Sequence, residues 1–194
     1  MAKIVVKSKV KKIKRKFPVV LKAPEFLNSA ELGNTNITDL NSLIGKTTKI
    51  NLMYITKNMK NQNVRLVFKI VEVNSGVAMT EVISYSQIPY YLNRFIKVDS
   101  TLIEDSIILT SKDGNEIRIK PFMITKSKIS KMVGSSIRNK FKEILKKEVE
   151  SKNAAEFMSS VVFSKVQVMF KNELKKIFPL KVFEFKKVEV LSKK

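Results

Sequence analysis

The sequence predicts an α+β fold: an antiparallel, β-barrel-like core, two C-terminal helices and a basic N-terminal arm. Three observations predict it. Between Thr47 and Ile124, runs of apolar residues alternate with polar ones at period two, the spacing of half-buried strands. Beyond Val133 the apolar spacing lengthens to that of helices. Before Phe17 the chain is densely basic, and residues 1–22 hold nine Lys/Arg and no acid. The 194 residues suit one domain, and 44% apolar content is enough for a core.

Residues 1–16, MAKIVVKSKVKKIKRK, read as the arm, and 17–194 as a single domain. Like charges at this density repel and resist packing. Ile4, Val5, Val6, Val10 and Ile13 interleave with the lysines, which suits a segment that orders on a partner surface. Phe17–Leu21 is expected to be a strand, with a turn at Lys22-Ala23-Pro24. Residues 28–46 are polar and loop-like, with a short helix over Thr38–Leu43. Strands are expected over 47–56, 64–73 and 77–85, with Asn74-Ser75-Gly76 as a turn. Gln87–Phe95 suits a short helix. The clearest hairpin is 106–124, where Asp113-Gly114 separates two alternating runs. Its returning strand puts Ile117 and Ile119 on one face and Arg118 and Lys120 on the other. Val133, Ile137, Phe141, Ile144 and Leu145 mark one helix. Met158, Val162, Val166, Met169 and Phe170 mark a second over 154–177, ended by Pro179 and followed by a strand over 181–191.

Composition excludes several chemistries. There is no cysteine and no histidine, so thiolate nucleophiles, disulfides, imidazole catalysis and the commonest zinc ligands are absent. No phosphate-binding glycine loop occurs. No apolar run approaches the roughly 20 residues of a membrane-spanning helix, and no secretory signal is present. Glu104 and Asp105 are adjacent in a strand-like run, so their carboxylates face opposite ways. No enzyme, metal site, cofactor or small-molecule substrate is expected.

The net charge of +21 points to a polyanion. Residues 1–22 carry +9, 23–111 carry zero, 112–147 carry +8 and 148–194 carry +4. Two foci flank a neutral body, so the excess is not a uniform lysine enrichment. The phosphate-binding candidates in the first focus are Lys7, Lys9, Lys11, Lys12, Lys14, Arg15, Lys16 and Lys22. In the second they are Arg118, Lys120, Lys126, Lys128, Lys131, Arg138 and Lys140. Lys/Arg contacts to phosphate release counterions and fix position without reading sequence. Tyr54, Tyr85, Tyr90 and Tyr91 are candidates either for base stacking or for packing. Ser127, Ser130, Ser135 and Ser136 with Gly134 suggest phosphate-facing donors or a plain helix cap. DNA and an acidic membrane surface are rival polyanions. The first lacks a helix-turn-helix or zinc-finger signature, and the second lacks aromatic anchors in the arm.

Several motifs stand in order along the chain: Phe17-Pro18-Val19-Val20-Leu21-Lys22-Ala23-Pro24-Glu25-Phe26, then Leu43-Ile44-Gly45-Lys46-Thr47, then Phe68-Lys69-Ile70-Val71-Glu72-Val73. Thr110-Ser111-Lys112-Asp113-Gly114-Asn115-Glu116-Ile117-Arg118-Ile119-Lys120-Pro121 follows. Lys175-Lys176-Ile177-Phe178-Pro179-Leu180 and Val188-Glu189-Val190-Leu191 close the series. Together they resemble the S-three-a-e (e-S-one) family of small-subunit ribosomal proteins, over residues 16–191. The end just after Leu191 resembles the archaeal form. The resemblance implies a barrel-like core flanked by helices. It also implies a structural role on the platform near the messenger exit, contact with small-subunit ribosomal RNA near its 3′ end, and S-eleven as a neighbour. Such a protein would be cytoplasmic and ribosome-bound. Phe17 departs from the family's usual Trp. Asn93-Arg94-Phe95-Ile96-Lys97-Val98-Asp99 stands where the family carries an arginine cluster, so only Arg94 and Lys97 carry over as RNA contacts.

Overall fold

The computed structural model describes residues 16–191 apart from Ser75. Nine strands form one bent, open sheet: β1 Phe17–Lys22, β2 Glu31–Ile37, β3 Thr47–Asn51, β4 Val64–Asn74, β5 Val77–Gln87, β6 Leu102–Glu104, β7 Ile107–Thr110, β8 Glu116–Thr125 and β9 Leu180–Leu191. Two short helices, α1 (Leu52–Thr56) and α2 (Pro89–Asn93), sit between strands. Three longer ones, α3 (Lys131–Ser151), α4 (Ala154–Val162) and α5 (Lys165–Lys175), precede β9.

Strand β5 is the hub. Its first edge pairs antiparallel with β4. Its second edge is shared: β1 runs parallel to Val77–Met79, and β9 pairs antiparallel with Ser84–Ser86. Beyond β9 lies β8, whose far edge takes β7 and then β6. The outer ends, β2 and β3 on one side and β6 and β7 on the other, do not pair, so the barrel-like expectation is corrected to an open sheet. Closure fails because the edges are short and broken. Asp105-Ser106 separates β6 from β7, and β3 has only five residues. Pro121 sits inside β8 at a register shift, where the far edge passes from β7 to β6. Proline cannot donate to a ladder, and this is a place where no donor is required.

The core lies between the inner face of the sheet and the three long helices. Leu66, Phe68, Ile117, Ile119, Phe185 and Val188 project from the strands, and Ile137, Phe141, Leu145, Phe157 and Phe170 from the helices. The rings of Phe141 and Phe170 stand 5.1 Å apart, and Phe170 and Phe183 stand 5.5 Å apart, tying α3 and α5 to β9. Such pairs add roughly 0.5–1.5 kcal/mol each beyond burial.

The expected hairpin is present, with Gly114 at φ 75°, a backbone that favours glycine. Four expectations are corrected. The two C-terminal helices are three, because Ser164 at φ 58° breaks the second. Gln167 holds the break, donating Nε2–H to the Val161 carbonyl at 2.8 Å. The strand expected over 47–56 stops at Asn51, whose side chain accepts the Met53 N–H at 3.0 Å and starts α1. The loop expected over 28–46 contains β2, and Thr38–Leu43 gives a 3-10 turn over Leu40–Leu43. The short helix near Gln87–Phe95 is confined to Pro89–Asn93.

Candidate nucleic-acid interface

The second basic focus is built at the positive end of a long helix. Strand β8 ends at Thr125, and residues 126–130 lead into α3. This loop is pinned. The fully buried Thr125 hydroxyl donates to the Ser127 carbonyl at 2.7 Å and accepts the Thr101 N–H at 2.9 Å. Ile129 N–H donates to Thr101 Oγ1 at 3.2 Å, and Lys126 N–H donates to the Pro179 carbonyl at 3.2 Å. Lys126, Lys128 and Lys131 are therefore exposed side chains on a fixed backbone.

Ser130 caps α3, its hydroxyl oxygen accepting the Val133 N–H at 3.4 Å. The cap reading of that serine is thus the structural one. The first turn of α3 holds no acid and begins with Lys131. Cations at a helix N-terminus oppose its macrodipole, at a cost of about 0.3–1 kcal/mol each. The arrangement is unfavourable alone and becomes favourable when an anion sits there. Beside it, Lys131, Ser130, Ser135 and Arg138 line a cleft of about 390 Å³ against Thr101–Ile103. Among the described residues, Lys126, Lys128, Lys131 and Arg138 form no ion pair.

Neighbouring cations are already engaged. Lys140 Nζ is 3.2 Å from Glu143, and Lys142 Nζ is 3.0 Å from Asp105. Burial works to raise the Asp105 carboxyl. The Lys142 hydrogen bond, the Ser106 N–H and the charges of Lys142 and Arg138 outweigh it and hold the group below the ordinary carboxylate range. Glu104 meets Lys186 instead, at 2.9 Å, so the two adjacent carboxylates bind different cations.

A second cationic surface lies on the outer face of the sheet. Arg118 and Lys120 point there, opposite the buried Ile117 and Ile119, as the alternation predicts. Lys120 faces Lys187 across the β8–β9 ladder, Lys187 faces Ser86, and Ser86 faces Arg65. Arg118 is not free: its guanidinium is 4.0 Å from Glu189, which also pairs with Lys187. Arg65 and Lys187 were not among the sequence candidates. Arg65 was readable, since it alternates with the buried Val64 and Leu66.

Lys7, Lys9, Lys11, Lys12, Lys14 and Arg15 lie outside the described residues. Lys16 is exposed, and Lys22 is half-buried at the end of β1. Arg94 stacks its guanidinium over Tyr91 at 4.3 Å, and Lys97 is exposed in the following turn. Tyr85 is buried in the core and unavailable for stacking, and its burial pushes the hydroxyl pKa up. Tyr90 and Tyr54 keep exposed rings. Among the described residues no three acidic side chains gather into a metal site, and no helix is long and apolar enough to cross a membrane.

Sequence comparison assigns this arrangement to a family. The profile of the Ribosomal S3Ae family matches residues 5–194. The chain belongs to the Ribosomal S3Ae family. Its relatives include the small ribosomal subunit protein eS1 of Archaeoglobus fulgidus, 30% identical over 88% of this chain and 82% of that protein. The proteins of the same name from Nanoarchaeum equitans and Halorubrum lacusprofundi are 26% and 28% identical, over 86% and 93% of this chain and 84% and 83% of theirs. The S3Ae resemblance carried by the motifs is borne out. In this chain the pinned loop and helix start gather four cations that form no ion pair among the described residues.

Proposed function

We propose that this S3Ae protein is a structural constituent of the small ribosomal subunit that grips small-subunit ribosomal RNA by phosphate contacts and supports translation. It sits on the platform, near the messenger exit and the RNA 3′ end, beside the S-eleven protein. It is ribosome-bound in the cytoplasm and has no catalytic role. Family membership supports the ribosomal assignment. The observation that carries the RNA grip is the set Lys126, Lys128, Lys131 and Arg138, unpaired among the described residues and gathered at the positive end of α3.

The grip has two parts. Residues 17–194 form a single domain that presents the α3 focus and, secondarily, Lys120 on the sheet face. The arm, residues 1–16, lays Lys7, Lys9, Lys11, Lys12, Lys14, Arg15 and Lys16 along the RNA backbone. Lys22, Arg94, Lys97, Arg118 and Lys140 contribute less, since Arg94 is stacked and Arg118 and Lys140 each have an acidic neighbour.

Sucrose-gradient fractionation of a native lysate tests the assignment. Co-migration with the small subunit at physiological and at high salt is expected. Recovery at the top of the gradient, even at low salt, contradicts it and brings DNA or an acidic membrane surface forward as the polyanion.

A further inference from the structure

A second cavity lies at the other end of α3. The Lys112 N–H donates to the Lys152 carbonyl at 3.3 Å, which ties the C-terminal end of α3 to the β7–β8 turn. With 21 residues at about 1.5 Å each, this end is ~30 Å from Lys131. Here a groove of about 730 Å³ opens between Pro24–Phe26, Glu81–Ile83 of β5, the β7–β8 turn and the start of α4. Phe26, Val82, Met158 and Val190 give it an apolar lining.

Its charge is opposite to that of the chain. Glu25, Glu81, Asp113 and Glu156 line it, with no lysine or arginine, in a protein of net charge +21. Two of these carboxylates serve the fold. Asp113 Oδ2 accepts the Ala154 N–H at 3.1 Å, and Glu156 Oε2 accepts the Asn153 N–H at 3.3 Å. The Glu25 and Glu81 side chains have no hydrogen-bond or ion-pair partner among the described residues. Lys69 faces Glu81 across the β4–β5 ladder without pairing to it. The carboxylates do not converge into a metal site.

The groove also exposes a strand edge. On its second edge, β5 is paired with β1 up to Met79 and with β9 from Ser84. Between them, no described strand covers that edge. Alternate residues of a strand direct N–H and C=O to opposite edges, so this stretch offers backbone groups to an added strand.

We propose that this groove docks an extended peptide of alternating basic and apolar residues, supplied by a neighbouring protein. The peptide backbone adds to the open edge of β5. Its apolar side chains meet Val82 and Met158, and its lysines or arginines meet Glu25 and Glu81. Phosphate is repelled by the same carboxylates, so the groove selects protein over RNA. The molecule thereby holds RNA at one end of α3 and a basic protein segment at the other. This inference does not depend on the RNA-binding reading.

Nuclear magnetic resonance titration of the full chain tests it. The probe is a synthetic peptide alternating lysine and valine, about four to five residues long, since Thr80 to Ile83 span only ~13 Å at ~3.3 Å per residue. Amide shifts are expected at Glu81, Ile83 and Ala155. The double variant Glu25→Gln/Glu81→Gln should bind the peptide about tenfold more weakly, and a glutamate-for-lysine peptide should not bind. Unchanged affinity in the double variant, or shifts elsewhere only, overturns the proposal. So does an RNA oligomer that shifts the same amides. A full-chain variant with Lys7, Lys9, Lys11 and Lys12 changed to Glu provides one more arm. If its groove amides move before any peptide is added, the occupant is the chain's own arm and the proposal fails. Salt-dependent RNA binding by the Glu25→Gln/Glu81→Gln protein is read in parallel and should be unchanged, which separates a failure here from a failure of the RNA reading.

Discussion

Replacing Lys126, Lys128, Lys131 and Arg138 together with glutamine should flatten the salt dependence of RNA binding. All four are exposed and, among the described residues, free of ion pairs, so each is available to a phosphate. Each phosphate neutralised contributes about 0.7 to 0.9 to the slope of log affinity against log salt, so the four account for a change of about 3. Between about 50 and 200 mM salt, that corresponds to roughly a hundredfold of salt-dependent affinity. The control removes Lys146, Lys152 and Lys176, which already pair with Glu150, Glu148 and Glu173. Filter binding to small-subunit ribosomal RNA over a salt series measures both. The slope lost per cation should be several times larger at the α3 focus than in the control. Equal loss per cation would refute the reasoning, because binding would then follow net charge and not position. Thermal melting gives a second readout. Removing Lys131 from the first turn relieves its clash with the macrodipole, so the variant should melt no lower than the parent.

Three further outcomes are expected. Gly134→Ala should stabilise the protein by about 0.5–1 kcal/mol in chemical denaturation, since helical glycine is costly. The new Cβ would meet only Ile129 Cδ1, at an ordinary 3.7 Å, and a loss of stability would show the site to be tighter than that. Thr125→Val should cost about 1–3 kcal/mol and weaken RNA binding, because the Thr101 N–H and Ser127 carbonyl lose their shared partner. An unchanged melting temperature and affinity would show that the hydroxyl does not pin the loop. Glu184→Gln should raise stability at neutral pH. Burial raises the Glu184 carboxyl, against the smaller pull of the Gln87 hydrogen bond and the Lys171 charge. The folded state therefore holds this proton more tightly than the unfolded chain, and stability falls as pH climbs from the unfolded value through the raised one. The advantage of the glutamine variant should vanish below about pH 4, where both states are protonated. A pH-independent difference would mean that lost packing, not ionisation, dominates.

The parts of the fold legible in the sequence are those where burial imposes a period. Ile117 and Ile119 alternate with Arg118 and Lys120, and the structure buries the isoleucines. Ile137, Phe141 and Leu145 recur at helical spacing, and all three are buried. Strand β2, ELGNTNI, was not legible because only Ile37 among its residues is buried. It is a strand through its pairing with β1, not through a pattern of its own. The break between α4 and α5 was hidden for the opposite reason. Val162, Val166 and Phe170 keep helical spacing across it, while a lone serine takes the left-handed conformation. At the candidate interface, charge density was legible and availability was not. Lys140 and Arg118 look equivalent to Arg138 in sequence, but Glu143 and Glu189 form ion pairs with the first two, whereas Arg138 acts on Asp105 only through its charge, without an ion pair. Glu189 reaches Arg118 only because β9, some seventy residues later in the chain, pairs with β8. The pinning of residues 126–130 by Thr101 and Pro179 is likewise a tertiary fact.

Ultraviolet cross-linking of purified small ribosomal subunits, with the adducts located by mass spectrometry, addresses the α3 focus most directly. Ribosomal RNA adducts are expected on peptides spanning Lys126 to Arg138. Subunits that contain the protein but yield adducts only around the acidic groove, or none on the domain, would contradict the assignment of RNA binding to the positive end of α3.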